Sequence, residues 1–304
     1  MNDQADKLRQ VIDNLKMKQA VNLPDFSSKQ AKRTARVITV TSGKGGVGKT
    51  NITINLAITL SEMGHRVIIL DADFGLANID VLFGIVPRYT LVDVIRNKKT
   101  ILEILSEGPK NTKFISGGSG VEELVKLEKA QLLTVIENMS LLDKIADFIL
   151  VDTGAGLSEN VMSFVMAADE ILLVTTPEPT SITDAYALIK TVSNRDKNKK
   201  IKVIVNRAES INEAYDISNK LVLVAEKFLD LRLEPMGFIL QDDAVIKAVK
   251  KQQPFSISFP KSLATKYIKE LSDKLIDGDN SNIQFPQDFG FKGFISRLVS
   301  IMKA

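Results

Sequence analysis

The chain has 304 residues, longer than one average domain but within the range of an open α/β sheet folded around a single core. With 44% hydrophobic and 25% charged residues and no tryptophan it has the composition of an ordinary packed globular protein, and a net charge of +3 is too small to imply nucleic acid by itself. The absence of cysteine removes disulfides, thiolate metal sites, iron–sulfur clusters and cysteine nucleophiles together.

A single histidine, His65, argues against histidine catalysis and is expected as a plain surface residue in the Gly64-His65-Arg66 turn that stops a helix. No apolar run reaches the roughly 18 residues of a membrane span, and Met1 to Lys18 lacks the apolar core of a signal peptide, so a cytoplasmic chain is expected.

In chain order, residues 1 to 18 place Ala5, Leu8, Val11, Ile12 and Leu15 on one helical stripe, and residues 19 to 36 form a basic linker containing Lys29, Lys32, Arg33 and Arg36. Residues 37 to 276 then alternate short β-branched runs with helical patterns. The runs are Val37 to Thr41, Val67 to Asp71, Phe114 to Ile115, Phe148 to Asp152, Ile171 to Thr175, Val203 to Asn206 and Met236 to Leu240. That alternation predicts an α/β fold with a doubly wound, mostly parallel sheet. Strands covered on both faces read as continuous apolar runs, as Val67 to Leu70 and Phe148 to Val151 do. Both end in aspartate, Asp71 and Asp152, which places two acids at the carboxyl edge where open α/β sheets bind their ligands.

The first strand runs into Gly43-Lys44-Gly45-Gly46-Val47-Gly48-Lys49-Thr50, which matches G-x-x-x-x-G-K-[ST] and precedes a helical stretch, Ile52 to Met63. In such a loop the glycines let backbone N–H groups curl around phosphate oxygens, Lys49 neutralises the β and γ phosphates, and Thr50 offers a hydroxyl to Mg²⁺.

Lys44 is a second cation that an ordinary loop of this kind does not need. With it, K-G-G-V-G-K-T resembles the deviant Walker A motif of the MinD/ParA family of P-loop ATPases. The resemblance implies that Lys44 reaches across a homodimer to the partner's nucleotide. Asp71-Ala72-Asp73 with Gly75 to Asp80 looks like that family's switch I, and Asp152-Thr153-Gly154-Ala155-Gly156 like its Walker B end and switch II. The implied roles are Asp73 at the attacking water, with Thr50, Asp71 and Asp152 holding Mg²⁺ directly or through waters. Taken alone, a strand-terminal aspartate is about as well explained as a helix cap. Asn206 matches the family position whose amide reads the adenine edge, and no N/T-K-x-D guanine signature is present, which favours ATP.

The tails narrow the resemblance. Asp3-Gln4-Ala5-Asp6-Lys7-Leu8-Arg9 is similar to the segment opening the FlhG/YlxH subfamily, regulators of flagellar number and placement; there it binds and stimulates the signal-recognition-type GTPase FlhF, with the glutamine, here Gln4, central. After a polar linker at 277 to 289, residues 290 to 304 form a basic amphipathic helix. Phe291, Phe294, Ile295, Leu298, Val299, Ile301 and Met302 fall on one side of it, and it resembles the membrane-targeting helix of MinD and FlhG. The same face would serve a helix docked on the core, and the linker allows either.

The expectation is therefore an ATP-dependent dimeric switch that hydrolyses Mg-ATP, engages flagellar basal-body proteins and an FlhF-type GTPase, and sits reversibly at the inner face of the plasma membrane. A ParA-like partition protein, a MinD-like septum-site ATPase and a nucleotide-gated adaptor without turnover are the alternatives. DNA is not expected as a partner, because the basic clusters at 29 to 36 and 195 to 202 read as solvated loops.

Overall fold

The computed structural model describes residues 34–73, 78–117, 120–277 and 289–303. The expected N-terminal helix with Gln4, nearly all of the basic linker, part of the switch I segment and most of the polar stretch after Asp277 lie outside them.

Strand β1 (Arg36–Thr41) leads into helix α1 (Lys49–Glu62), followed by β2 (Val67–Ala72), α2 (Ile79–Phe83), α3 (Leu91–Ile95), β3 (Ser106–Glu107) and β4 (Lys113–Ser116). Then come α4 (Gly120–Lys126), α5 (Lys129–Met139), α6 (Leu142–Ile145), β5 (Phe148–Thr153), α7 (Glu159–Ala167), β6 (Glu170–Thr175) and α8 (Pro179–Arg195). The remaining elements are β7 (Lys200–Ala208), α9 (Ile211–Leu229), β8 (Leu233–Leu240), α10 (Asp243–Lys250), α11 (Phe255–Ser258), α12 (Leu263–Asp277) and α13 (Gly290–Lys303).

The strands form one sheet in the order β3-β4-β2-β5-β1-β6-β7-β8, parallel throughout except for the β3–β4 pair. Alternate residues of each central strand enter different apolar clusters: Ile68, Leu70, Ile149 and Val151 on one face, Val67, Ile69, Phe148 and Leu150 on the other. Burial on both faces is why these strands read as unbroken apolar runs. Every expected strand is present. β3 escaped the sequence because Ser-Glu carries no apolar signal. The far strand β8 contains an exposed Pro235 and a Gly237 at φ +153°. Gly64 adopts φ +94° after α1, the left-handed stop expected there, and the half-buried His65 rests edge-on against Phe148 with ring centroids 5.2 Å apart.

The two basic clusters are not simply solvated. Arg36 is the first residue of β1 and is buried; its Nε and Nη2 donate to Glu170 Oε1 at 2.9 and 2.6 Å, and Nη1 donates to the Leu275 carbonyl at 2.8 Å. Lys202, also buried because β7 starts at Lys200 rather than near Val203, pairs with Glu170 at 3.0 Å. Burial would raise the Glu170 carboxyl, but Arg36 and Lys202 together hold it below its usual value.

The C-terminal helix is docked. Phe291, Phe294, Ile295 and Leu298 are 0% exposed and Val299 3%, whereas Met302 is half-buried. Phe294 meets Phe164 of α7 with ring centroids 6.2 Å apart. The face expected to meet lipid is thus part of the core cluster that contains Val37 and Ile149, so lipid contact requires α13 to leave its groove.

Candidate functional site

The phosphate-loop candidate joins the carboxyl end of β1 to α1. Three of its glycines are required by geometry. A Cβ on Gly43 would overlap the Asp184 carbonyl group of α8, while Gly46 and Gly48 adopt φ +77° and +100°, the left-handed region. Gly48 caps α1 without a side-chain hydrogen bond, and the first turn of α1 carries no acidic residue, leaving its amide groups and dipole unopposed. Gly45 and Gly46 are exposed, so the loop's crest is open. Ser42 Oγ donates to the Lys44 carbonyl at 2.7 Å and the Gly156 amide donates to the Ser42 carbonyl at 2.9 Å, which ties the loop to the turn after β5.

The two strand-terminal aspartates are brought together by register: Asp71 of β2 is directly opposite Asp152 of β5. Asp71 Oδ1 accepts from the Asp73 amide at 3.1 Å, and Oδ2 accepts from the amides of Asn78 and Ile79 at 3.2 and 3.4 Å. It therefore also serves as the cap at the start of α2, one of the two readings the sequence allowed for such an aspartate. Asp152 is 0% exposed; Oδ1 accepts from Thr53 Oγ1 at 3.1 Å, and Oδ2 has no hydrogen-bond partner. Burial pushes its carboxyl up to about 7, against the lowering influence of the neighbouring Thr50 hydroxyl and Lys49, while the nearby Asp71 adds to the rise. Burial likewise raises Asp71 to about 6, opposed by its three amide donors.

Lys49 is buried, and that burial lowers its pKa against the raising fields of Asp152 and Asp73. Asp73 is half-buried beside Gly154, whose added Cβ would lie 3.5 Å from Asp73 Oδ1. Loop, lysine and all three aspartates thus share one edge of the sheet.

Lys44 is half-exposed and held within its own chain, its Nζ donating to Glu178 Oε2 at 2.6 Å and Thr180 Oγ1 at 2.8 Å at the start of α8. Asn206 is buried, and its Nδ2 donates to the Val47 carbonyl at 2.7 Å. It borders a hollow of about 410 Å³ lined among others by Gly48, Arg207, Leu240, Val245 and Phe255, large and apolar enough for a planar heterocycle beside the phosphate loop. Next to Asn206, Arg207 adopts φ +58° at the irregularity between β7 and β8, strain of the kind concentrated at binding sites.

Residues 38–255 match the family described as the CobQ/CobB/MinD/ParA nucleotide binding domain. The chain belongs to that family.

Among MinD/ParA relatives, the chain is 43% identical over 240 residues to the antiactivator FleN of Pseudomonas aeruginosa, covering 79% of this chain and 86% of that one. It is 32% identical to the flagellum site-determining protein YlxH of Helicobacter pylori over 99% of this chain and 100% of the relative. Of solved structures, the MinC:MinD cell division protein complex of Aquifex aeolicus superposes with a TM-score of 0.62 at 28% identity, covering 83% of this chain and 99% of that chain.

For a MinD/ParA nucleotide-binding domain, the residues the sequence singled out, Gly43, Lys44, Gly45, Gly46, Val47, Gly48, Lys49, Thr50, Asp71, Asp73, Asp152 and Asn206, gather at one sheet edge. Gln4 lies outside the described residues, and Phe291, Phe294, Ile295, Leu298 and Val299 are buried elsewhere. Sequence reasoning missed the base-sized hollow and Thr53. The strand-end rule could have pointed to Leu240 to Asp242, which close β8 on the same edge.

Proposed function

We propose that this chain is an ATP-dependent dimerisation switch that hydrolyses Mg-ATP and regulates flagellar number or placement at a membrane surface. The observation that carries the reading is the fully buried Asp152, register-paired with Asp71 and left with one orphan oxygen beside Thr50 and Lys49. An unpaired buried carboxylate oxygen is costly unless a cation completes it.

The residues present fit Mg²⁺: a hydroxyl and carboxylate oxygens, hard donors, beside an anion-binding loop. When bound, the ion neutralises charge on the transferring phosphoryl group. The chain's own groups do the rest. Loop amides and Lys49 position the phosphates, Asn206 and the adjoining hollow receive the adenine, and Asp73 holds the attacking water in line. Lys44 then acts on the nucleotide of a second copy, which makes dimerisation depend on ATP.

The flagellar role rests on similarity to FleN and YlxH; the match to YlxH runs through both tails. In this reading residues 1 to 18, with Gln4, stimulate an FlhF-type GTPase, flagellar basal-body proteins are the further partners, and α13 leaves its groove to bind lipid when two copies present it together. Two weak anchors joined in one dimer bind far more tightly than either alone. A ParA-like hold on DNA is less well supported, since Arg36 and Lys202 of the basic clusters are buried.

Phosphate release from ATP with Mg²⁺, measured on wild type and Asp73→Ala, tests the reading. The variant is expected to bind ATP, elute as a dimer and turn over much more slowly. Turnover at the wild-type rate would remove Asp73 from the mechanism; no turnover in wild type, with binding retained, would favour the adaptor alternative.

A further inference from the structure

The end of the sheet opposite the nucleotide edge holds a cluster that the proposed function does not use. Asp143, the second residue of α6, receives three backbone amides from two segments far apart in sequence. Oδ1 accepts from Ala35 at 3.3 Å and from Phe291 at 2.7 Å, and Oδ2 accepts from Lys292 at 3.0 Å. It therefore caps α13 while also tethering the residue that precedes β1. Gly290 closes the same knot: it adopts φ +91°, and an added Cβ would approach Asp143 Oδ1 to 2.6 Å and Thr34 Cβ to 2.9 Å. No larger residue fits between the two segments without displacing one of them.

A second carboxylate repeats the arrangement. Asp169, whose side chain is 2% exposed, accepts from Arg297 Nη2 of α13 at 2.6 Å through Oδ1 and from the Val37 amide of β1 at 3.4 Å through Oδ2. Its own amide donates to the Val37 carbonyl at 3.2 Å, and Arg297 Nε donates to the Ala167 carbonyl at 2.8 Å. The apolar face of α13 lies between these two polar ties, sharing a cluster with Ala35 and Val37.

We propose that the start of β1 and helix α13 are held to one another through these two shared carboxylates, so that undocking of α13 and loosening of the chain at Ala35 to Val37 occur as one event. The physical reason is an accounting of acceptors. If α13 leaves, Asp143 loses two of its three donors and Asp169 loses its guanidinium while still enclosed. Lys199 remains near Asp169, but a buried carboxylate that loses its hydrogen-bonded guanidinium is unfavourable, and a shift of the segment that shares it offers relief. The converse holds equally. Tension on the chain at Thr34, where residues 1 to 33 join, weakens the cap on α13. Coupling of this kind is reciprocal: whatever engages one segment changes the release of the other by the same factor. The proposal rests on the reading above only for what acts on each segment, a partner at the N-terminal one and lipid at α13; the coupling itself is a property of the isolated chain.

Hydrogen exchange on the full chain, without nucleotide, lipid or partner, tests it. Arg297→Ala removes a side chain of α13 whose hydrogen bonds to the Ala167 carbonyl and Asp169 lie outside β1. It is expected to speed exchange roughly tenfold in both 290–303 and 34–38, the change for losing one charge-assisted hydrogen bond, with Val203 to Ala208 of β7, which pairs with β6 and β8 and not with β1, unchanged as a reference. Asp143→Asn, which keeps side-chain size and one acceptor, should produce a smaller rise in the same two segments. Acceleration confined to 290–303 in both variants would overturn the coupling. So would acceleration spread evenly over β7 as well, which would mark general destabilisation. A failed ATPase assay leaves this test intact, and a failed exchange test leaves the ATPase reading intact.

Discussion

Asp71 and Asp152 stand opposite one another on β2 and β5, yet Asp71 accepts three backbone amides whereas Asp152 Oδ2 accepts nothing. Asp152 is raised by burial to about 7, so the folded chain keeps a proton there over a range in which the unfolded chain, near 3.8, has lost it. The folded state then binds more protons, and its stability falls as pH rises from about 4 to about 7. In metal-free buffer the thermal midpoint should decline over that window, and Asp152→Asn should make the decline shallower, chiefly above about pH 6, leaving the part due to Asp71 and Asp169, each raised by burial to about 6. Mg²⁺ with nucleotide should flatten it too, because a bound cation replaces the proton. An equally steep decline in the variant would place the titrating group elsewhere.

Lys44 is held by Glu178 and Thr180 of its own chain, so in one copy it contributes little that nucleotide binding needs. Lys44→Ala is expected to lower ATP-dependent dimerisation strongly while changing nucleotide affinity little and leaving the thermal midpoint in place. Light scattering with ATP beside calorimetry at low protein concentration separates the two. Equal loss of both would remove the action across the dimer.

The burial of α13 changes how membrane binding has to be tested. Phe294 is 0% exposed, so Phe294→Ala should cost about 3–5 kcal/mol of stability in urea unfolding, and a loss of vesicle binding in that variant would have two explanations. Lys292 is exposed on the same helix. Lys292→Glu should leave unfolding unchanged and weaken ATP-dependent flotation on anionic vesicles. Unaltered flotation would indicate that lipid is met by another surface.

Two neighbouring glycines of the loop should respond differently to alanine. Gly43→Ala forces a methyl group against the Asp184 backbone, and overpacking of this kind costs about 1–3 kcal/mol and displaces the loop from α8, so ATP binding should fall with stability. At Gly45 the nearest atom to an added Cβ is Ala155 Cβ at 4.0 Å, so Gly45→Ala should keep stability and affect only the approach of phosphate. Denaturant midpoints and ATP titrations on the pair check this.

A peptide of residues 1 to 20 should stimulate GTP hydrolysis by an FlhF-type GTPase, modestly and at high concentration, because a helix this short is marginal alone and orders on binding. Gln4→Ala should keep binding and lose most of the stimulation if the glutamine orients the attacking water. Stimulation unaffected by the change would remove the proposed role of Gln4 toward an FlhF-type GTPase without touching the ATPase or the similarity to FleN and YlxH.

Much of the site was legible because local sequence dictates it. Gly43 to Thr50 fixes its own loop, and β-branched runs ending in Asp71 and Asp152 announce where the strands stop. What the sequence did not carry was tertiary pairing. Arg36 and Lys202 read as solvated charges because nothing local reveals that Glu170 lies between them. Likewise an amphipathic stripe such as Phe291 to Val299 states that one face seeks an apolar surface, not which surface. Asn206 was found through a family position, but the hollow beside it is assembled from α1, β7, β8, α10 and α11 and has no contiguous signature.

The outer strands of the sheet restrict how copies of the chain can assemble. Two residues of β3 offer too short a ladder for a neighbouring strand to join, and at the other flank Pro235 takes a donor out of β8 while Gly237 departs from regular strand geometry. Lateral growth of the sheet into a continuous ribbon or fibril is thereby disfavoured at both flanks. The proposed ATP-dependent dimer would therefore have to form through surfaces other than the two flanks of the sheet.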